Sequence, residues 1–165
     1  MTPTRYVIAL GSNRRGRHGS PEREIAAALA AVGGLRSASR IVRTLPLGPS
    51  KRRYANAVAL IDSNEDPPAL LRRLKRIERD FGRRRGQIWS SRVIDLDILL
   101  WSRGAWSSPG LTVPHTAFRQ RRFVLDPLVR IAPDWRDPLT GLTVRQLAAR
   151  LTRPIPEIRC AHVGP

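Results

Sequence analysis

Two carboxylates, Asp95 and Asp97, stand in "RVIDLDILLW" (92–101), a run otherwise apolar enough for the inside of a sheet. Aspartate is depleted from strands, and a buried carboxylate without a partner costs several kcal/mol, comparable with a whole protein's stability margin. Strand alternation puts Asp95 and Asp97 on one face and Ile94, Leu96 and Ile98 on the other. At about 3.3 Å per residue their Cα atoms lie roughly 6.6 Å apart, so the carboxylates repel unless positive charge lies between them. Such a pair can hold a hard divalent ion, most naturally magnesium. The spacing equally admits ordinary salt bridges, with Arg92, Arg103 or other cations neutralising each carboxylate.

The neighbouring segments carry the complementary charge. "GRRRGQIWSSR" (82–92) brings Arg83, Arg84, Arg85, Arg92 and the indole of Trp89 immediately upstream, and "TVPHTAFRQRRF" brings His115, Arg119, Arg121 and Phe123 downstream. A magnesium site beside an arginine loop suits phosphoryl transfer, where catalysis is mostly positioning and charge neutralisation. A solvated basic loop and a structural histidine are the plainer readings of the same residues.

The flanking pattern supplies elements to hold them. "RYVIAL" (5–10) reads as a buried strand stopped by Gly11-Ser12-Asn13. Ser20 and Pro21 then form an N-cap and first position for a helix over "EREIAAALAAV", ended by Gly33-Gly34. "LRSASRIVRTL" (35–45) and "YANAVALID" (54–62) read as strands. "PPALLRRLKRIERDFG" (67–82) is the clearest helix, with Leu70, Leu71, Leu74, Ile77 and Phe81 on one stripe. A short amphipathic helix is expected at 143–151. Strand, helix, strand, strand, helix, strand is the split βαβ order, which predicts an α+β fold. We expect a ferredoxin-like antiparallel sheet with helices packed on it, one layered domain over 1–165, with the carboxylate strand placed centrally.

Composition bounds the setting. A chain of 165 residues that is 41% hydrophobic can bury a core without disulfides or structural metal. The single Cys160 has no cysteine partner, and no Cys/His cluster has zinc-like spacing. No apolar run reaches the length of a membrane span or of a signal-peptide core, so a cytoplasmic protein is expected. Thirty basic residues against 13 acidic ones give +17, and only Lys51 and Lys75 are lysines. The arginine fork favours phosphate contact, which suits nucleotide and nucleic acid alike.

Several motifs occur together in order: "ALGSN", "TLPLGP", "YANAV", the "RVIDLDIL" stretch, "LTVPHTAFRQRRFVLDPL" and "IAPDW". From Tyr6 to about Leu151 the chain resembles the 6-hydroxymethyl-7,8-dihydropterin pyrophosphokinases of folate biosynthesis. The resemblance implies transfer of the β,γ-diphosphate of ATP, the co-substrate, to the pterin hydroxymethyl group, with release of AMP. It implies that Asp95 and Asp97 hold two magnesium ions, and that Arg83 and Arg92 stabilise charge on the transferring group. His115, Arg121 and Arg85 would meet ATP phosphates, with Thr112, Ile98, Lys75 and Glu78 bordering the nucleotide. The pterin would lie among Thr44, Leu45, Leu47, Tyr54, Asn56, Trp89 and Phe123, where aromatic rings can sandwich a flat bicycle and an amide can read its edge.

The arginine loop departs from the family pattern at Ile88 and Ser90-Ser91. The partners implied are small molecules rather than nucleic acid or membrane, and the chain is expected to act as a monomer. The competing readings are a diverged paralogue that binds without turnover and a ferredoxin-like RNA-binding domain. The latter would carry aromatics in an RNP-like run on its central strands, which "RYVIALGSN" and "RVIDLDILLW" lack.

Overall fold

The computed structural model describes residues 2–45, 52–82 and 93–152. An antiparallel sheet is built from β1 (Thr4–Ser12), β2 (Leu35–Ala38), β3 (Val42–Thr44), β4 (Tyr54–Ser63) and β5 (Asp95–Trp101), in the order β2-β4-β1-β5 with β3 also paired to β4. A hairpin of β6 (Trp106–Ser108) and β7 (Leu111–Val113) follows.

Helices cover both faces, which makes three layers. The helices α1 (Pro21–Val32) and α2 (Pro67–Asp80) bury Ile25, Ala28, Leu70, Leu74 and Ile77 against Tyr6, Ile8, Leu10, Ala57, Ala59, Leu96 and Ile98. On the other face, α3 (Arg122–Ile131) and α4 (Val144–Thr152) bury Val124, Leu125, Leu128, Val144 and Leu147 against Val7, Val58, Leu60 and Leu100. Both faces of β1 are therefore apolar, which is why "YVIAL" shows no polar alternation. Each fully buried Leu or Ile contributes about 1.5–3 kcal/mol of transfer free energy.

The helix starts follow their caps. The Ser20 hydroxyl accepts from the Arg23 amide at 3.4 Å with Pro21 next in line, and the Asp66 carboxylate accepts from the Ala69 amide at 2.8 Å ahead of Pro67. The expected single strand over 35–45 is two. The Ser39 hydroxyl takes the Val58 amide at 3.0 Å, a side chain standing in for the backbone ladder and breaking the run between β2 and β3. Pro127 lies inside α3, a helix that the turn signals of its segment hid from the periodicity.

The central placement expected for the carboxylate strand is also overturned: β5 lies at an edge of the described sheet and not in its centre. Its outer side is stitched by other elements. Glu78 of α2 accepts from the Leu96 amide at 2.7 Å, Lys75 donates to the Leu96 carbonyl at 3.1 Å, and the His115 amide donates to the Leu99 carbonyl at 2.9 Å. An edge so occupied offers no ladder to another chain. The β1–β5 register shifts between Val7 and Ile8, where Leu99 is the extra residue. This bulge ends the simple alternation just beyond Asp97.

Candidate active site

Asp95 and Asp97 project from β5 on the face opposite Leu96 and Ile98, as the alternation requires, and both are half-buried while Leu96 and Ile98 are buried. They open into a cavity of about 310 Å³. Its walls come from the Ala9–Gly11 end of β1, Thr44 at the end of β3 with Leu45 just beyond it, Tyr54, Asn56 and Ala57 of β4, and Arg121, Phe123 and Val124 at the start of α3. The antiparallel register explains this convergence, since Gly11 pairs with Asn56 on one side and Asp95 on the other. A methyl on Gly11 would come 3.3 Å from the Asn56 amide oxygen, so glycine keeps this wall open. The Asn56 amide donates to the Thr44 hydroxyl at 2.9 Å, which fixes how the carboxamide is presented. The Arg121 guanidinium lies over the Phe123 ring, 5.8 Å from its centre.

A second cavity, also about 310 Å³, runs along the outer edge of β5 and is lined by Leu71, Lys75, Asp97, Ile98, Gly110, Leu111, Thr112, His115 and Thr116. Asp97 belongs to both cavities and joins them. Wider depressions of about 730 and 930 Å³ lie elsewhere and touch neither Asp95 nor Asp97.

The electrostatics around the junction are particular. Lys75 Nζ lies 2.7 Å from Glu78 Oε1 and 3.8 Å from Asp97 Oδ1. For Asp97, Lys75 is thus one of the neighbouring cations that the salt-bridge reading left open. The His115 Nδ1 accepts the Ala117 amide at 3.1 Å, so the neutral ring carries its proton on Nε2. Burial pushes the His115 imidazole below its ordinary value; Asp97 opposes this, while Arg121 and Lys75 act with burial.

Among the site residues expected from sequence, Thr44, Leu45, Tyr54, Asn56, Asp95, Asp97, Arg121 and Phe123 meet in the first cavity. Lys75, Ile98, Thr112 and His115 meet in the second. Glu78 lines neither; it is buried behind β5 and grips Lys75 and the Leu96 amide. Leu47, Arg83, Arg85, Trp89 and Arg92 lie outside the described residues, as do Ile88, Ser90-Ser91 and Cys160. Gly11 and Ala9 are wall residues that sequence reasoning missed, although the Gly-Ser-Asn stop after the first strand marked the place.

The donor set fits magnesium. No group of three or more His, Cys, Asp or Glu side chains suited to a metal exists among the described residues, and two carboxylates face the cavity. Magnesium is usually held by one or two carboxylates, with water and substrate phosphates completing its shell.

The chain matches, over residues 7–133, the family model described as 7,8-dihydro-6-hydroxymethylpterin-pyrophosphokinase. This chain belongs to that family. A Pseudomonas aeruginosa 2-amino-4-hydroxy-6-hydroxymethyldihydropteridine pyrophosphokinase is 41% identical over 140 residues, 81% of this chain and 84% of the relative. A relative of the same name from Synechocystis sp. is 37% identical over 84% of this chain and 69% of its own length. The solved structure of Plasmodium falciparum HPPK-DHPS shares the pyrophosphokinase fold, with a TM-score of 0.72 at 14% identity, covering 90% of this chain and 41% of that one. This chain thus spans less than half of that larger protein.

Proposed function

We propose that this chain transfers the β,γ-diphosphate of ATP to the hydroxymethyl group of 6-hydroxymethyl-7,8-dihydropterin, a step of folate biosynthesis. The observation that carries the reading is the pair of cavities joined at Asp97. The first, with Tyr54, Phe123 and the Thr44-oriented Asn56 amide, suits a flat heterocycle with a polar edge. The second, with Lys75, Thr112 and the Nε2–H of His115, suits a nucleotide whose phosphates reach toward Asp97 and Arg121.

In the reaction the pterin hydroxyl oxygen bonds to the β-phosphorus, the α–β bridging P–O bond breaks, AMP leaves with the bridging oxygen, and the hydroxyl proton passes to water. Asp95 and Asp97 would hold magnesium, as two ions, which supplies charge neutralisation of the polyphosphate. Arg121, steadied on Phe123, and His115 bind phosphate oxygens; Tyr54, Asn56 and Phe123 orient the acceptor. Bringing the two reactants together at one carboxylate is the proximity contribution the fold makes. Arg83, Arg85 and Arg92 are proposed for the transferring group and Trp89 and Leu47 for the pterin, on the strength of the sequence resemblance.

The same reading takes 1–165 as one pyrophosphokinase domain of ferredoxin-like type. The strand and helix order, with β2-β4-β1-β5 side by side, supports this, and α3 and α4 add a layer. The same reading takes the protein as a monomer working in the cytoplasm on small molecules rather than nucleic acid. No described helix is long and apolar enough to cross a membrane. Incubation of the purified protein with magnesium, ATP and the hydroxymethyldihydropterin should yield AMP and the pterin diphosphate; release of ADP, or no AMP, would refute the assignment.

A further inference from the structure

Lys75 is one of two lysines among 30 basic residues, and it stands where the two cavities join. Its ammonium is committed on two sides: Glu78 Oε1 lies at 2.7 Å and the Leu96 carbonyl at 3.1 Å. Glu78 is itself fixed, because it is buried and the same oxygen accepts from the Leu96 amide at 2.7 Å. Both outward backbone groups of the residue between the two aspartates are thus held by this pair. A compact ammonium converges on such partners, whereas the planar fork of arginine spreads its donors apart.

The distance to Asp97 completes the picture. At 3.8 Å the ammonium is beyond hydrogen-bond reach of Asp97 Oδ1 yet close enough to act on it as a charge. It therefore offsets repulsion between the carboxylates without taking the oxygen directions a metal needs.

We propose that Lys75, held by Glu78, is a built-in counter-ion to Asp97 and makes divalent-cation binding at the Asp95–Asp97 site conditional on the nucleotide's phosphates. The inference rests on the metal reading of the two aspartates. With no nucleotide, Lys75 opposes the incoming cation; when a polyanion enters the second cavity, it offsets Lys75 and the cation binds tightly. A fixed positive charge in this place orders the loading of the site.

The test is Mn²⁺ binding to nucleotide-free protein, followed by electron paramagnetic resonance. Lys75→Gln removes the charge but keeps a donor that can reach Leu96 and Glu78. It should bind Mn²⁺ about threefold to fivefold more tightly at low salt, the upper range left to a part-exposed pair after solvent screening, with the gain shrinking at high salt. Lys75→Arg keeps the charge and should stay within about twofold of the parent. Unchanged or weaker binding by folded Lys75→Gln, or an equal gain in Lys75→Arg, overturns the proposal. Asp97→Asn tests the metal reading by itself. If the parent binds no Mn²⁺ even with an ATP analogue, or Asp97→Asn keeps the parent's affinity, the site is not a metal site and both readings fall. If the parent binds through Asp97 and Lys75→Gln is no tighter, only the counter-ion falls. Should Lys75→Gln not fold, selective ¹³Cε-lysine labelling of the parent decides instead. Of its two lysine signals, that of Lys75 should move on Mg²⁺ addition, and a motionless signal at saturation overturns the proposal.

Discussion

At the scale of single residues, the site depends on groups whose orientation another residue sets. In the proposed function Asn56 reads the pterin edge, and the Thr44 hydroxyl, which accepts its amide hydrogen at 2.9 Å, leaves the carboxamide oxygen beside Gly11. Thr44→Val removes that acceptor at nearly constant volume. We expect the KM for the pterin to rise about fivefold, the equivalent of about 1 kcal/mol for one hydrogen bond, with kcat nearly unchanged, in steady-state kinetics. Asp97 is different in kind, since it joins both cavities. Asp97→Ala should lower kcat/KM for ATP by about a thousandfold or more, corresponding to several kcal/mol of lost transition-state stabilisation, and near-normal turnover would remove it from the chemistry.

At the scale of elements, the loop between β1 and α1 is the seat of the arginine segment's flanks. The His18 ring lies 4.6 Å from the Phe81 ring, Arg17 lies 5.7 Å from the same ring, and Gly16 is so close to Val93 and Glu24 that a methyl there would come 2.5 Å from the valine. Phe81 precedes that segment and Val93 follows it. Glu24, fully buried, holds the loop by accepting the amides of His18 at 2.7 Å and Gly19 at 3.1 Å. Glu24→Ala leaves both donors without their acceptor and should cost about 3 kcal/mol, read as a fall in the urea midpoint at constant m-value. None of this was legible in the sequence, where Glu24 is one more polar residue in a helix. The alternation of Asp95 and Asp97, the cap at Ser20 and the stripe of α2 could be read directly, because each depends on near neighbours in the chain. The edge position of β5, the second helical layer of α3 and α4, and the clasp of Glu78 on Leu96 depend on pairings over longer separations, which local periodicity does not encode.

At the scale of the whole molecule, the displaced titrations bound a pH range of maximum stability. Hydrogen bonding by Arg36 holds Asp62 below its ordinary 3.8 against the opposing effect of burial, and Arg5 adds to it. Burial pushes Asp137 up, but the hydrogen bonds from Arg119, Thr140 and the Leu139 amide together outweigh it and hold it below 3.8. Each contributes stability that is complete above the unfolded value and is lost as pH falls through the folded one. His115, also lowered, follows the same sign but from a higher start, 6.5. Tyr6 is raised above 10.0, chiefly by burial, so its contribution is complete below that value and is lost as pH rises through the folded one. Among the described residues with a displaced pKa, His115 is thus the first group to act as neutral solution is acidified. Between pH 7 and 5.5 the unfolded chain takes up a proton at this residue that the folded chain resists. Urea midpoints of the parent should fall over that interval, and the slope should flatten in His115→Gln, whose amide does not titrate. A midpoint that rises on acidification would mean that the imidazole gains its proton more readily when folded, so that Asp97, and not burial, governs this corner of the site.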